Sequence, residues 1–221
     1  MKVGILVSGG DAPGMNYVVY EVFNKLSKLG CELVGIKNGF KGLMENTLME
    51  LDAEVLEQNK LYAGSILKSS RAPEFKTQKG VKKGLNTIIK NKLDVVIILG
   101  GDGSLRGAKE LAEQGVKTIF IPSTIDNDLT CSEYSLGYYT AVHACQNYIE
   151  KVMRTIETLN RSCIFEVMGN ESGQIAEGVK IASQPDYTIS EYEPLDISKL
   201  AKDIKKNKKE SLVIVLQEKL V

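Results

Sequence analysis

The eight residues Asp94–Gly101, DVVIILGG, constrain the fold more than any other stretch. Val95, Val96, Ile97, Ile98 and Leu99 follow one another without a polar residue. A strand with one face in water alternates apolar and polar side chains. An unbroken apolar run belongs to a strand covered on both faces, as in a parallel sheet with helices on each side. The run is short and ends on two glycines, which favours a strand over a buried helix. Parallel neighbours need long crossovers, so strands should alternate with helices along the rest of the chain.

The N-terminus has that order. Lys2–Ser8, KVGILVS, is apolar and branched, and Gly9 and Gly10 follow. Met15, Val18, Val19, Val22, Phe23, Leu26 and Leu29 then recur as one helix face, with Gly30 as a stop, before the strand CELVGI. After Gly101 a helix is expected from about Ser104 to Gln114, followed by the strand TIFIPS. Val142 to Ile156 marks a long helix, and CIFEVMG a strand. A helix begins near Ser172, and DYTIS and LVIVLQ are two more strands flanking a Lys-rich helix. The run KKNKK at 205–209 reads as a solvated helix face. The periodicity is weak over 39–76, and 122–137 is rich in loop residues. The class is therefore α/β, with two lobes of largely parallel sheet divided near residue 138, giving 1–138 and 139–221, and a crevice between them.

Composition narrows the partners. Lys plus Arg equals Asp plus Glu at 28 each, so the basic excess of a nucleic-acid-binding protein is absent. No apolar run approaches the ~20 residues of a membrane span, and no signal peptide is seen. Cys31, Cys131, Cys145 and Cys163 form no C-x-x-C pair, and His143 is the lone histidine. They are expected to be small core residues of a cytoplasmic protein, not zinc ligands or disulfide partners.

Three loops carry the chemistry. SGGDAPGMN, Ser8–Asn16, joins a strand to a helix where α/β sheets bind ligands. Its glycines would let backbone N–H groups approach an anion at the helix N-terminus. A plain tight turn is the other reading, though one glycine would suffice for that. GGDGS, Gly100–Ser104, repeats the arrangement, with Asp102 flanked by glycines and accessible to a hydrated Mg²⁺. Gly101, Gly103 and Gly107 are spaced one residue too far for a dinucleotide fingerprint, and the chain has no Gly-Lys pair for a P-loop. Arg71, in SSRAPEF, is a candidate for the missing cation, although taken alone it reads as a surface residue. The third loop, PSTIDNDL, sets two carboxylates two residues apart. One aspartate would fit an Asx-turn. Two, after a threonine and beside two glycine turns, fit phosphoryl transfer, which needs a base at the attacking hydroxyl and carboxylates around a metal.

GGDAPGMN, GGDGS, TIDND and EVMG, in this order and spacing, resemble the phosphofructokinase family along the whole chain. The resemblance implies two α/β lobes around a cleft, usually in a homotetramer. It implies the glycolytic transfer of a phosphoryl group from ATP, with Mg²⁺, to the 1-hydroxyl of fructose 6-phosphate. Gly10, Phe40, Arg71, Ala72, Gly101, Asp102, Gly103, Ser104 and Gly107 match the nucleotide site, with the Phe40 ring packed on adenine. Asp126 matches the general base, with Thr124 and Asp128 beside it, Asp102 and Asp128 toward the metal, and Arg71 toward the phosphates. Thr124, Ile125, Asp126, Met168, Gly169, Asn170 and Glu218 match the sugar-phosphate side, and Arg161 an arginine that reaches a neighbouring subunit's sugar. Small residues at Gly103 and Ser123 resemble the ATP-using rather than the pyrophosphate-using branch.

The sequence also departs from the family. Asn170 stands where an arginine follows EVMG, and the family continues beyond Glu218 with further phosphate-binding residues. The resemblance therefore implies a C-terminally incomplete second lobe. The clamp on the sugar phosphate would be supplied by another chain, either a copy or a full-length homolog. A paralog that binds nucleotide or sugar phosphate without turnover is the alternative. A kinase of the wider GGDG group, acting on NAD or a lipid, would share GGDGS but not TIDND or EVMG. The family's effector-site arginines align with Tyr20, Asn24 and Met153. Initial rates against sugar concentration should accordingly be unchanged by ADP or phosphoenolpyruvate, and a sigmoidal curve relieved by ADP would contradict this.

Overall fold

The computed structural model describes residues 1–194 and 196–220. The chain divides into two compact units. The first is Met1–Thr124 with Leu129–Gly137; the second is Ile125–Asp128 with the chain from Tyr138 onward. The four residues carrying Asp126 and Asp128 thus belong to the second unit, although they lie inside the loop-rich stretch assigned from sequence to the first.

In the first unit β1 (Lys2–Ser8) leads to α1 (Met15–Lys28) and β2 (Glu32–Ile36). The weakly periodic region resolves into α2 (Gly39–Glu45), β3 (Leu48–Glu50), α3 (Ala53–Asn59) and a 3₁₀ turn at Pro73–Lys76. These elements are too short for their period to show. Then come α4 (Gln78–Lys90), β4 (Val95–Gly100), α5 (Asp102–Glu113), β5 (Thr118–Thr124) and the short β6 (Leu136–Gly137). The helix expected from Ser104 starts two residues earlier because Gly101 serves as its N-cap. The strand order is β3-β2-β1-β4-β5-β6, with only β3 antiparallel to its neighbour.

The continuous apolar runs are buried on both faces, as expected. Leu6, Ile36, Val96 and Ile98 face Phe40 and Leu43 of α2, Val81 and Ile88 of α4, and Ala108 and Leu111 of α5. The alternate residues Ile5, Val7, Ile97 and Leu99 are equally buried, and α1 contributes Met15 and Val19 to the interior. The rest of the expected α1 face is only partly covered. Leu29 is exposed, because Gly30 turns the chain away at a φ of 67°.

The second unit is built from α6 (Tyr138–Thr158), β7 (Cys163–Val167), α7 (Gln174–Ser183), β8 (Tyr187–Ile189), α8 (Ile197–Lys206) and β9 (Val213–Gln217). Its sheet is parallel throughout, in the order β7-β9-β8. Val142, Ile149 and Ile156 of α6 and Ile175 and Val179 of α7 cover Phe165, Val167, Val213 and Val215. No helix among the described residues is long and apolar enough to cross a membrane.

Two sequence expectations need correction. The cysteines are core residues only in part: Cys145 and Cys163 are half-buried against the second unit's core, while Cys31 is half-buried just before β2 and Cys131 is exposed, all unpaired. Partial burial of Cys145 on α6 pushes its thiol pKa up. The lysines of the 205–209 run are exposed as expected, but the helix ends at Lys206, and the Lys209 ammonium bonds Asp186, whose other oxygen accepts the Val213 N–H at 2.8 Å. That bond raises the lysine pKa, so its contribution to stability is fully present below the ordinary lysine value and is lost as pH rises through the raised one.

The least replaceable contact in the first core is the stacking of Phe40 on Phe75, with ring centroids 4.3 Å apart and both side chains buried. Phe75→Ala should cost about 3–5 kcal/mol in chemical denaturation, since the Phe40 ring of α2 would face a void.

Candidate active site

The order β2-β1-β4-β5 puts a topological switch point at β1 and β4: the chain leaves β1 toward β2 on one side, while β4 and β5 extend the other. Open α/β sheets bind ligands at the carboxyl ends of such strands. Here those ends are the two glycine turns, brought level by the pairing of Ser8 with Gly100. Gly100 has no room for a side chain, because a Cβ would lie 2.3 Å from both the Ser8 carbonyl and the Ser104 hydroxyl. That hydroxyl donates to the Ser8 carbonyl at 3.0 Å and welds the two turns together. Ser104 is buried. It therefore anchors the site and has no open hydroxyl to offer a nucleotide.

Around this weld the edge is open. A Cβ built on Gly10 or Gly103 meets nothing within 4 Å. Neither α1 nor α5 has a side-chain cap, unlike α3, α4 and α8, whose first turns are capped by Asp52, Thr77 and Asp196. The Met15 N–H of α1 bonds the Ala12 carbonyl at 3.4 Å and the Ser104 N–H of α5 the Gly101 carbonyl at 2.9 Å, and the positive ends of both helices suit an anion. Thr124, at the end of β5, is 3.6 Å from the Cβ position of Gly101, so the structure brings Gly101 and Thr124 together.

Asp102 opens α5. Its carboxylate is half-exposed and pairs with Arg106, one turn on, at 2.8 Å. No three His, Cys, Asp or Glu side chains converge among the described residues. A Mg²⁺ that arrives with phosphates keeps most of its waters and needs only one or two carboxylates, which Asp102 fits. Arg71 is exposed on the segment before the 3₁₀ turn, in no ion pair among the described residues, and Ala72 is partly buried against the first core.

Phe40 corrects the sequence reading. Its ring is 4% exposed, stacked on Phe75, and a Cβ on Gly107 would strike it at 2.5 Å. The ring is almost wholly enclosed by protein, so it forms the floor beneath Gly107 instead of a platform for a base.

In the second unit, Asn127 adopts a left-handed conformation, φ 51°, between partly buried Asp126 and exposed Asp128. Asparagine tolerates this backbone, and the kink gives the two carboxylates different surroundings. The Asp126 carbonyl accepts a 2.8 Å bond from the Ser172 hydroxyl, which ties the TIDND segment to the loop before α7. That loop is held from the other side by Glu218, whose Oε1 accepts the N–H groups of Gly169 at 3.0 Å and Asn170 at 2.6 Å. Lys219 bonds the Asn170 side chain. Met168 stands exposed on this loop. Arg161 precedes β7, at the opposite end of that strand from Met168 and Gly169, so it does not join them within this unit.

The sequence reading gave no role to Asp11, Asn16, Ser69 or Arg106. The Asp102–Arg106 spacing of four on a helix was a visible signal. The others act through contacts far apart in sequence.

The phosphofructokinase family model matches residues 2–221. The chain belongs to the phosphofructokinase family. It is 37% identical over 206 residues to an ATP-dependent 6-phosphofructokinase of Alkaliphilus metalliredigens, covering 93% of this chain and 65% of that protein. It is 35% identical to the one from Streptococcus mutans, covering 98% and 66%. The chain thus spans just under two thirds of the length of these relatives. The fold matches phosphofructokinase from Saccharomyces cerevisiae with a TM-score of 0.85 at 22% identity, covering 98% of this chain and 33% of that one. It matches a pyrophosphate-dependent phosphofructokinase from Nitrosospira multiformis with a TM-score of 0.88 at 16% identity, covering 98% and 60%.

Gly10, where a Cβ meets no protein atom, tests whether this edge faces a ligand. Gly10→Ala should change stability by no more than about 0.5 kcal/mol. It should weaken binding of a nucleoside triphosphate, the ligand the resemblance implies, by about 10- to 100-fold, because the added methyl keeps an anion from close approach to the backbone N–H groups. Thermal melts and calorimetry on the same sample check both halves.

Proposed function

We propose that this chain transfers the terminal phosphoryl group of ATP to the 1-hydroxyl of fructose 6-phosphate, giving fructose 1,6-bisphosphate and ADP. The observation that carries the reading is the weld of two uncapped helix starts at the β1–β4 switch point, with Asp102 at the head of α5. The named activity of relatives that match 93–98% of the chain supports it. Preference for ATP over pyrophosphate is supported by the open space at Gly103 and by the buried, small Ser123.

In this reading the amides around Gly10 and Gly103 take the phosphates, and Arg71 supplies the positive charge that a P-loop lysine supplies elsewhere. Asp102 and Asp128 are the carboxylates the resemblance assigns to Mg²⁺, which would neutralise phosphate charge when bound. Asp126 accepts the proton of the sugar hydroxyl as its oxygen bonds to phosphorus and the bond to the ADP oxygen breaks, and Thr124 lies beside this exchange. Ile125, Met168, Gly169, Asn170 and Glu218 form the sugar side. Arg161, remote from that loop along β7, serves a neighbouring subunit, which makes the working form an oligomer with copies of itself or a longer homolog. Four unpaired cysteines suit a reducing cytoplasm.

A second reading, binding without turnover, is favoured by Asn170: it places an amide, already bonded by Lys219, where a phosphate-binding arginine would be expected. A coupled assay with ATP, Mg²⁺ and fructose 6-phosphate decides between them. Under the first reading the folded protein turns over, and Asp126→Asn lowers kcat by about 10²–10⁴ with Mg·ATP affinity retained. Binding of Mg·ATP with no turnover at high sugar would establish the second.

A further inference from the structure

Arg71 sits at the end of residues 60–71, a stretch with no helix or strand. Such a segment draws no position from a hydrogen-bonded ladder, and an exposed arginine on it would sample many places. Here the segment is strapped down. Asn16, in the first turn of α1 and 3% exposed, shares its amide hydrogens among the carbonyls of Asn59 (3.3 Å), Tyr62 (3.0 Å) and Gly64 (3.1 Å). Its oxygen accepts the Ile66 N–H at 3.0 Å. The Asp11 carboxylate accepts the Gly64 N–H at 2.9 Å, and the Ser69 hydroxyl donates to the Gly9 carbonyl at 2.8 Å. Arg71 follows Ser69 by two residues, within about 7 Å of chain.

Gly9, Asp11 and Asn16 all belong to the first glycine turn, so this turn both faces the ligand and holds the strap that carries the cation. We infer that Asn16 is a positioning residue: through the strap it fixes Arg71 against the phosphate-binding turn, so that arginine and turn grip a polyphosphate as one body. The inference rests on the phosphate-donor reading above. A buried asparagine that only stabilised the loop would show the same bonds, and the energetic coupling to Arg71 separates the two roles.

The test is a double-mutant cycle on Asn16→Ala and Arg71→Ala, read as Mg·ATP affinity by calorimetry, with hydrogen exchange at the Gly64 and Ile66 amides. Asn16→Ala alone should speed exchange at both amides and weaken binding about tenfold. With Arg71→Ala already present, adding it should change affinity less than about twofold. Losses that multiply would overturn the inference, as would unchanged affinity despite faster exchange. If Asn16→Ala fails to fold, Ser69→Ala removes only the tie to Gly9, leaving the bond from the Ser70 hydroxyl to the Asn38 carbonyl, and enters the same cycle, where coupling to Arg71 is again expected and multiplying losses again overturn it. Mg·pyrophosphate is the second probe. A wild-type protein that binds neither probe sinks the donor reading and this inference with it. Binding with multiplying losses sinks this inference alone.

Discussion

The hydroxyl of Ser104 donating to the carbonyl of Ser8 is the contact on which the rest of the first unit's edge depends. It spans β1 and β4 at the point where they diverge, and it exists only because Gly100 has no side chain to hold the two apart. A buried hydroxyl finding a carbonyl contributes about 1 kcal/mol to stability in the usual case. Its larger effect here is geometric. It sets the first turn of α5 against the end of β1, and with it the amides of two helix starts, the Asp102 carboxylate and the open space over Gly10 and Gly103. Phe40 completes the arrangement from below by closing the floor under Gly107.

The second unit uses a different device for the same purpose. Its loop after β7 is built from a glycine and an asparagine with positive φ, and one oxygen of Glu218 fastens both of their amides. The Asp126 segment is drawn to the same loop through Ser172. A carboxylate is thus spent on holding backbone where the family resemblance assigned it to ligand, and Asn170 is similarly engaged by Lys219. These contacts leave the loop after β7 more engaged with protein than the open positions Gly10 and Gly103 of the first unit.

How far the sequence could be read follows from which forces are local. The strands Lys2–Ser8 and Val95–Gly100 and the long helix Tyr138–Thr158 were legible because burial on both faces or on one stripe leaves a periodic mark. The glycine turns were legible because their composition is needed for backbone approach. Asn16 was not, although it lies inside a motif that drew attention. Its partners are 43 to 50 residues away, and they are backbone groups that leave no trace in residue type. Phe40 was misread because the resemblance supplied a ligand where Phe75, Gly107 and the core supply the contacts. Of the cysteines, Cys145 and Cys163 lie against a core while Cys131 is exposed, because residue type predicts burial only on average.

The order of strands in the second unit has a consequence for how the protein is made. β7 and β8 do not touch as strands; each pairs only with β9, which comes after both in the chain. Until Val213–Gln217 leaves the ribosome, two strands and the apolar faces of α6 and α7 have no sheet to join. The first unit, by contrast, acquires neighbouring strands nearly in the order they are synthesised. During translation the second half of the chain is therefore the part with unpaired edges and exposed apolar surface, and the part for which chaperones have the most to hold.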